Sequence, residues 1–226
     1  MPAEISVIIP TLNAERDLSA CLEALIEGLS EGLIRELIVT DGGSTDRTEA
    51  VTDAAGGDFV TGKPSRGGQL RRGCARARGS WLLVLHADTQ LEPGWSHTVA
   101  EHLEDGAGAP ACFRLKFRAR GVGAGFVAGW ANLRTALFGL PYGDQGLLMT
   151  RAHYDAAGGY PDQPLMEDVA LVRALPGITL LSCEARTSAT RYQKTGWLRR
   201  GARNLWTLLR YFAGVNPTTL ATSYRK

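Results

Sequence analysis

The sequence predicts an α/β fold, a mostly parallel sheet flanked by helices, and three observations carry that reading. Short apolar or β-branched runs at 5–9, 37–40, 59–61 and 81–85 alternate with stretches of helical period, as successive βαβ units do. Trp81-Leu82-Leu83-Val84-Leu85 is apolar throughout, which suits a strand covered on both faces. The runs also stop at polar residues: Thr11 and Asn13 after the first, Asp41 after the second, Asp88 after the fourth. Ligands of open α/β sheets sit beyond the carboxyl ends of the strands, so these residues are expected at one edge, around a ligand of nucleotide type.

Each element has its own justification. Ile5-Ser6-Val7-Ile8-Ile9, closed by Pro10, reads as a buried strand, and the helix after it carries Leu18, Leu22, Leu25, Ile26 and Leu29 on one face. Leu37-Ile38-Val39-Thr40 ends at Asp41; Gly42 and Gly43 let backbone approach a ligand, and Ser44 or Asp46 can cap the next helix. Lys63 to Gly73 is a Gly-rich basic loop entering a helix, so its N-terminus and Arg66 are expected to face an anion. Arg71, Arg72, Arg76 and Arg78 read mostly as a solvated face, and without a Gly-Lys-Ser/Thr ending this is no Walker loop. After Asp88 a helix starts near Glu92 and reaches about Glu104, and Ala111–Phe117 alternates with period two, a strand with one wet face.

The second half is read the same way. Residues 121–140 hold Phe126, Trp130, Leu133, Leu137 and Phe138, expected to pack on the core, with an apolar partner as the alternative. Tyr142-Gly143-Asp144-Gln145-Gly146 is a turn before the strand Leu147–Thr150; Asp144 and Gln145 are turn-formers or pocket residues. Met166–Leu171 opens a helix whose Glu167 and Asp168 either complement the helix dipole or supply a general base. Ile178–Ser182 is a strand. The last helix, 195–212, places Leu198, Ala202, Leu205, Leu209 and Phe212 on one face beside Arg199, Arg203 and Arg210. That stripe is expected to dock on the core, and a basic amphipathic helix can instead lie on an anionic membrane.

Composition bounds the function. A chain of 226 residues, 44% hydrophobic and 21% charged, reads as soluble and globular. A net charge of +2 gives no signal for a nucleic-acid partner. Four scattered cysteines fit a reducing compartment better than zinc or disulfides. The chain enters its first strand without a basic-then-apolar leader and has no 18-residue apolar run. A cytoplasmic protein is expected, with peripheral contact at the inner face of the membrane left open; no pattern selects an oligomeric state.

The motifs Val7-Ile8-Ile9-Pro10-Thr11-Leu12-Asn13, Val39-Thr40-Asp41-Gly42-Gly43-Ser44-Thr45-Asp46, His86-Ala87-Asp88 and Glu167-Asp168, in this order over roughly residues 5–190, resemble family 2 glycosyltransferases of the GT-A fold, a Rossmann-like sheet. The resemblance implies a nucleoside-diphosphate-sugar donor, of UDP type, and inverting transfer to an acceptor hydroxyl. It implies a donor site at Pro10, Thr11, Asn13, Asp41, Arg66, His86, Ala87 and Asp88, with Asp41 toward the base or ribose. Asp88 matches the last carboxylate of the D-x-D motif, which holds Mg²⁺ or Mn²⁺. Asp168 matches the base, Asp144 is the second choice, and Gln145 and Glu167 point to the acceptor. His86 departs from the pattern, an imidazole where the motif has its first carboxylate. One domain is implied: a donor half of about 1–105, an acceptor half of about 106–194, and a C-terminal amphipathic helix and tail of about 195–226. Ser65–Gln69, Leu85–Thr89 and Pro141–Gly146 also resemble a small bacterial subgroup associated with radical-SAM partners and arsenosugar-type biosynthesis, although Arg71 stands where an Asn is expected. The rival readings are a nucleotidyltransferase acting on a sugar phosphate, which would release pyrophosphate, and a nucleotide-binding regulator without catalysis.

Overall fold

The computed structural model describes residues 4–105 and 108–225. β1 (Ile5–Thr11), α1 (Glu15–Ser30), β2 (Ile34–Asp41), α2 (Thr48–Ala54), β3 (Asp58–Thr61), α3 (Arg66–Arg76) and β4 (Trp81–Val84) alternate as the apolar runs predict. A two-residue β5 (Gln90–Leu91), unannounced by the sequence, precedes α4 (Trp95–Glu104). β6 (Ala111–Phe117) and α5 (Val122–Phe138) follow, then a 3-10 turn at Gly143–Gln145, β7 (Leu147–Thr150), α6 (Arg151–Ala156) and α7 (Glu167–Val172). β8 (Thr179–Thr187) runs five residues past the expected Ser182, and three helices close the chain: α8 (Thr190–Thr195), α9 (Trp197–Phe212) and α10 (Pro217–Arg225).

The eight strands among the described residues form one sheet in the order β3-β2-β1-β4-β7-β6-β8-β5. β1 to β4 are mutually parallel, and β7 enters antiparallel beside β4, with Val84 opposite Leu147 and Trp81 opposite Thr150. β6 is antiparallel to β7 and parallel to β8. The carboxyl ends of β1, β2, β4, β6 and β8 therefore share one edge with the amino end of β7. This register sets the turn before β7, with Asp144, beside the turn after β4, with Asp88.

Helices cover both faces. On one, Leu18, Cys21 and Leu25 of α1 and the fully buried Trp95 of α4 pack on Ile5, Val7 and Leu83, and the Trp95 indole donates to the Ala24 carbonyl at 2.9 Å. On the other, Leu70 and Cys74 of α3 and Leu171 and Val172 of α7 pack on Ile8, Leu82 and Met149. Emptying the Trp95 site by Trp95→Ala removes about 3–5 kcal/mol.

Two expected core faces are not in the core. In α5 the small residues Ala124, Ala128, Ala131 and Thr135 face inward, whereas Phe126, Trp130, Leu133 and Leu137 stand exposed. In α9 the stripe Leu198, Leu205, Leu209 and Phe212 is likewise exposed, and Arg200, Thr207 and Leu208 are the buried positions. The period was legible and the direction was not. A face of alanines lies closer to its neighbours than a face of leucines and aromatics, so the small side packs. In α1, too, Ile26 and Leu29 lie outside the buried face, which is Leu18, Cys21, Leu25 and Gly28.

Candidate active site

The loops after β1 and β2 are tied to each other. The Asn13 N–H donates to Ser44 Oγ at 2.7 Å, and the Thr45 N–H donates to Asn13 Oδ1 at 2.9 Å, with Asn13 itself at φ 52°. The Asp41 carboxylate receives the Thr11 hydroxyl at 2.9 Å, the Gly43 and Ser44 N–H groups at 2.6 Å each, and the Ser44 hydroxyl. Burial opposes its charge, yet these donors, Ser44 foremost, hold the carboxyl below the usual range. A carboxylate offers about four lone-pair positions. All four are taken here, so Asp41 shapes the loop that the motif implies on the base and ribose side of the donor. The carbonyls that end β1 and β2 are held by Gln69, whose amide donates to Thr11 O at 2.7 Å and Thr40 O at 2.8 Å. Ser44 does not cap α2; Asp46 accepts from the Thr48 N–H at 3.1 Å.

The N-terminus of α3 is already occupied. Ser65 Oγ accepts from the Gly68 N–H at 3.3 Å, and the Gly67 N–H donates to the Gln163 carbonyl at 3.1 Å. Gly67 is required by this contact, because a Cβ there would lie 1.9 Å from the Pro161 carbonyl oxygen. The Arg66 side chain enters a cleft at the carboxyl edge. Burial disfavours its charge, and Glu167, Asp168, Tyr224 and Asp88 more than offset that. Among the other arginines, Arg72 is not merely solvated: it donates to the Asp41 carbonyl at 3.2 Å.

The cleft is about 800 Å³ including its mouth, and Arg66, His86, Asp88, Asp144, Asp168 and Arg191 line it. Burial, with Arg66 and Arg191 adding to it against Asp168, pushes His86 down to about 3. The imidazole is thus neutral near pH 7, unlike the carboxylate whose place it takes. Burial, with Asp88 and Asp168 nearby, pushes Asp144 up to about 6 despite Arg134, and its Oδ1 is buried without a hydrogen-bond partner. Asp168 is set by Met166, a non-glycine residue at φ 64° immediately before α7. Strain of this kind persists only where the surroundings fix it. Asp168 Oδ2 accepts from the Gly143 N–H and Oδ1 from the Val169 N–H, each at 2.8 Å.

Two expected acceptor residues lie behind the wall. Gln145 is fully buried; its Oε1 accepts from Thr135 Oγ1 at 3.0 Å and its amide donates to the Phe113 carbonyl at 3.2 Å, so it locks the turn. Glu167 is also buried, with Oε2 unpartnered; burial and the adjacent Asp168 push it up to about 7 against the pull of Arg66. Sequence reasoning missed the roof. Arg200 and Asn204 of α9 and Tyr224 of α10 close the cleft: Arg200 donates to Tyr224 Oη at 2.6 Å, Tyr224 Oη donates to Asn204 Oδ1 at 2.8 Å, and Asn204 donates to Tyr192 Oη at 2.9 Å. It also missed Gly143, which leaves room for the His86 ring. Among the described residues, no three His, Cys, Asp or Glu side chains are grouped to hold a metal ion by themselves.

Carboxylates and arginines around a cleft at the carboxyl edge, on a sheet that reverses at β7, define an α/β protein of GT-A type. TarS 1–349 of S. aureus shares this fold at TM-score 0.63 and 16% identity, over 91% of this chain and 64% of that one. The glucosyl-3-phosphoglycerate synthase of Mycobacterium tuberculosis, solved with Mn²⁺, UDP and glucosyl-3-phosphoglycerate, does so at TM-score 0.58 and 21% identity, over 90% and 78%. The chain belongs to glycosyl transferase family 2, whose sequence model matches residues 6–134. It is 36% identical over 93 residues to the glucosyl-3-phosphoglycerate synthase of Mycolicibacterium paratuberculosis, covering 37% of this chain and 28% of that protein. A PGL/p-HBAD biosynthesis glycosyltransferase of Mycobacterium bovis is also 36% identical over 93 residues, covering 38% and 36%. The chain thus matches only about a third of the length of these curated relatives.

Proposed function

We propose that this chain is an inverting glycosyltransferase that moves a sugar from a UDP-type donor to an acceptor hydroxyl. The convergence of Asp88, Asp144 and Asp168 with Arg66 on one cleft at the carboxyl edge carries the reading. Arg66 binds and orients the donor diphosphate and stabilises its charge as it departs. Asp168 takes the proton of the attacking hydroxyl; its two backbone hydrogen bonds aim the carboxylate and leave lone pairs on both oxygens. Asp144 is the second candidate for this proton. Pro10, Thr11 and Asn13, on the loop that Asp41 shapes, take the base and ribose side, and His86 and Ala87 line the diphosphate side.

The donor set fits Mg²⁺ or Mn²⁺. Asp88 would hold the ion, and the orphaned Asp144 Oδ1 is a second hard oxygen beside it. With few protein ligands the ion is expected to arrive with the diphosphate, and when bound it supplies Lewis-acid neutralisation of the leaving group. The mycobacterial synthase solved with Mn²⁺ and UDP, and TarS solved with UDP-GlcNAc, support this donor class. The motifs around Arg66, Asp88 and Asp144 support placement in the radical-SAM-associated subgroup. We also assign the protein to the cytoplasm, with peripheral contact at the membrane's inner face. No helix among the described residues is long and apolar enough to cross a membrane.

The test is calorimetry of UDP binding with and without Mn²⁺, followed by product analysis with UDP-sugars. Tighter binding with Mn²⁺ and release of UDP are expected. Release of pyrophosphate from a nucleoside triphosphate and a sugar phosphate would establish the nucleotidyltransferase instead.

A further inference from the structure

α5 and α9 turn their large apolar residues outward, and they do so side by side. A Cβ at Gly201 of α9 would lie 3.9 Å from Val127 of α5, and the Trp197 ring closes over Gly123. The spacing 126, 130, 133, 137 keeps one face of α5 apolar, and 198, 205, 209, 212 does the same for α9. Exposure along the two stripes runs from 40% at Leu205 to 75% at Leu198. Monomeric proteins rarely leave so broad a contiguous apolar face in water.

The charge around this face identifies what covers it. No Asp or Glu occurs between Asp105 and Asp144, nor anywhere after Glu184, whereas those two segments carry five and nine Lys or Arg. Arg120, Lys194 and Arg199 stand exposed around the stripes. A second copy seated here would set one acid-free basic surface against another. An anionic headgroup layer complements it, and an apolar stripe bearing Trp and Phe with arginines at its margins is the pattern of a helix lying in a bilayer interface. The face also continues into the cleft. A small cavity between the helices, lined by Val127, Trp130 and Leu205, has Tyr142, Asp144 and Asn204 in its wall as well.

We propose that the paired outer faces of α5 and α9 form a docking surface for an anionic lipid bilayer. It makes definite the peripheral contact named above, and it stands whether or not the chain transfers a sugar.

The test is co-sedimentation of the full chain with vesicles of phosphatidylcholine alone and with a third phosphatidylglycerol. The chain is expected to pellet with the anionic vesicles, weakly with the neutral ones, and less as salt rises. Phe126→Glu combined with Trp206→Glu should lower binding roughly tenfold or more while UDP affinity is kept. Brominated phosphatidylglycerol gives a readout that needs no variant: quenching of tryptophan emission is expected, since Trp130 and Trp206 stand on the face. The proposal falls if the wild type stays in the supernatant with anionic vesicles and is not quenched. It also falls if the variant pellets like wild type, or if the lipid-free chain sediments as a dimer that the variant splits. Vesicle binding without any UDP binding would leave the docking surface standing and overturn the catalytic reading alone.

Discussion

Gly143→Ala probes the site at its tightest point. A Cβ at residue 143 would stand 2.5 Å from His86 Nε2 and 3.0 Å from Cε1. Ordinary contact between such atoms is about 3.5 Å, so the imidazole or the turn must yield by about 1 Å. The turn cannot move alone, because the Gly143 N–H holds Asp168 Oδ2 at 2.8 Å. One methyl group therefore displaces both the residue at the D-x-D position and the proposed base. Overpacking of this kind lowers stability by about 1–3 kcal/mol, and a 1 Å error in positioning slows the reaction by about 10²-fold. Gly143 is not among the residues with positive φ, so steric contact is the main perturbation. Gly125→Ala and Gly129→Ala are the controls: both lie inside α5 with nothing within 4 Å of the added Cβ, and each should raise stability by up to about 1 kcal/mol. The assays are a thermal melt and the rate of UDP release from UDP-glucose and UDP-N-acetylglucosamine. A Gly143→Ala protein that melts with wild type and turns over at its rate refutes the placement of His86 and Asp168 around this turn.

Asp168→Asn keeps shape and should lower turnover by about 10²–10⁴-fold with UDP affinity nearly unchanged, measured by steady-state kinetics and calorimetry; a dead Asp144→Asn beside an active Asp168→Asn would exchange the two roles. Asp144 carries a pH signature. Its folded value near 6 lies above the ordinary 3.8, so its charge burdens the fold fully above about pH 6 and not at all below about pH 4. Asp144→Asn should then stabilise the EDTA-treated protein by up to about 3 kcal/mol at pH 8 and not at pH 4 in urea unfolding, and equal shifts at both would remove the burial argument. Exhaustive chelation should weaken UDP binding at least tenfold, about 1.4 kcal/mol, in a titration that Mn²⁺ restores. Gly67→Ala, with its Cβ 1.9 Å from Pro161 O, should destabilise by about 3 kcal/mol or more in a chemical melt, since backbone meets backbone there.

The strand-end residues were legible because an apolar run that halts at a carboxylate is a local signal, and the sheet edge gathers such stops. Asp88 and Asp144 meet because β7 inserts antiparallel beside β4, a pairing no local pattern announces. What Gly67 is for was hidden for the same reason: its partner Pro161 lies in a loop far along the chain. Gln145 and Asp144 are neighbours in one turn, and only the tertiary structure sends the amide to Thr135 and Phe113 and the carboxylate to the cleft. Arg200, Asn204 and Tyr224 look in sequence like any polar positions of a helix. In α5 and α9 periodicity named the residues that share a face, but both faces of α5 are apolar, and side-chain size decided which one packs.

The single sheet bears on how the chain could be divided. The first four strands and the later ones are not two bodies joined by a linker, since β4 is zipped to β7 from Trp81 opposite Thr150 to Val84 opposite Leu147. A break between α4 and β6 would leave each fragment with a bare apolar strand edge, Leu82-Leu83-Val84 on one and Leu147-Leu148-Met149 on the other. Expressed apart, such fragments should aggregate through those edges. Expressed together, they hold complementary halves of one ladder and should reassemble. The same seam bars a hinge between the two parts of the sheet, so opening of the cleft falls to its roof of α8, α9 and α10 rather than to the sheet beneath.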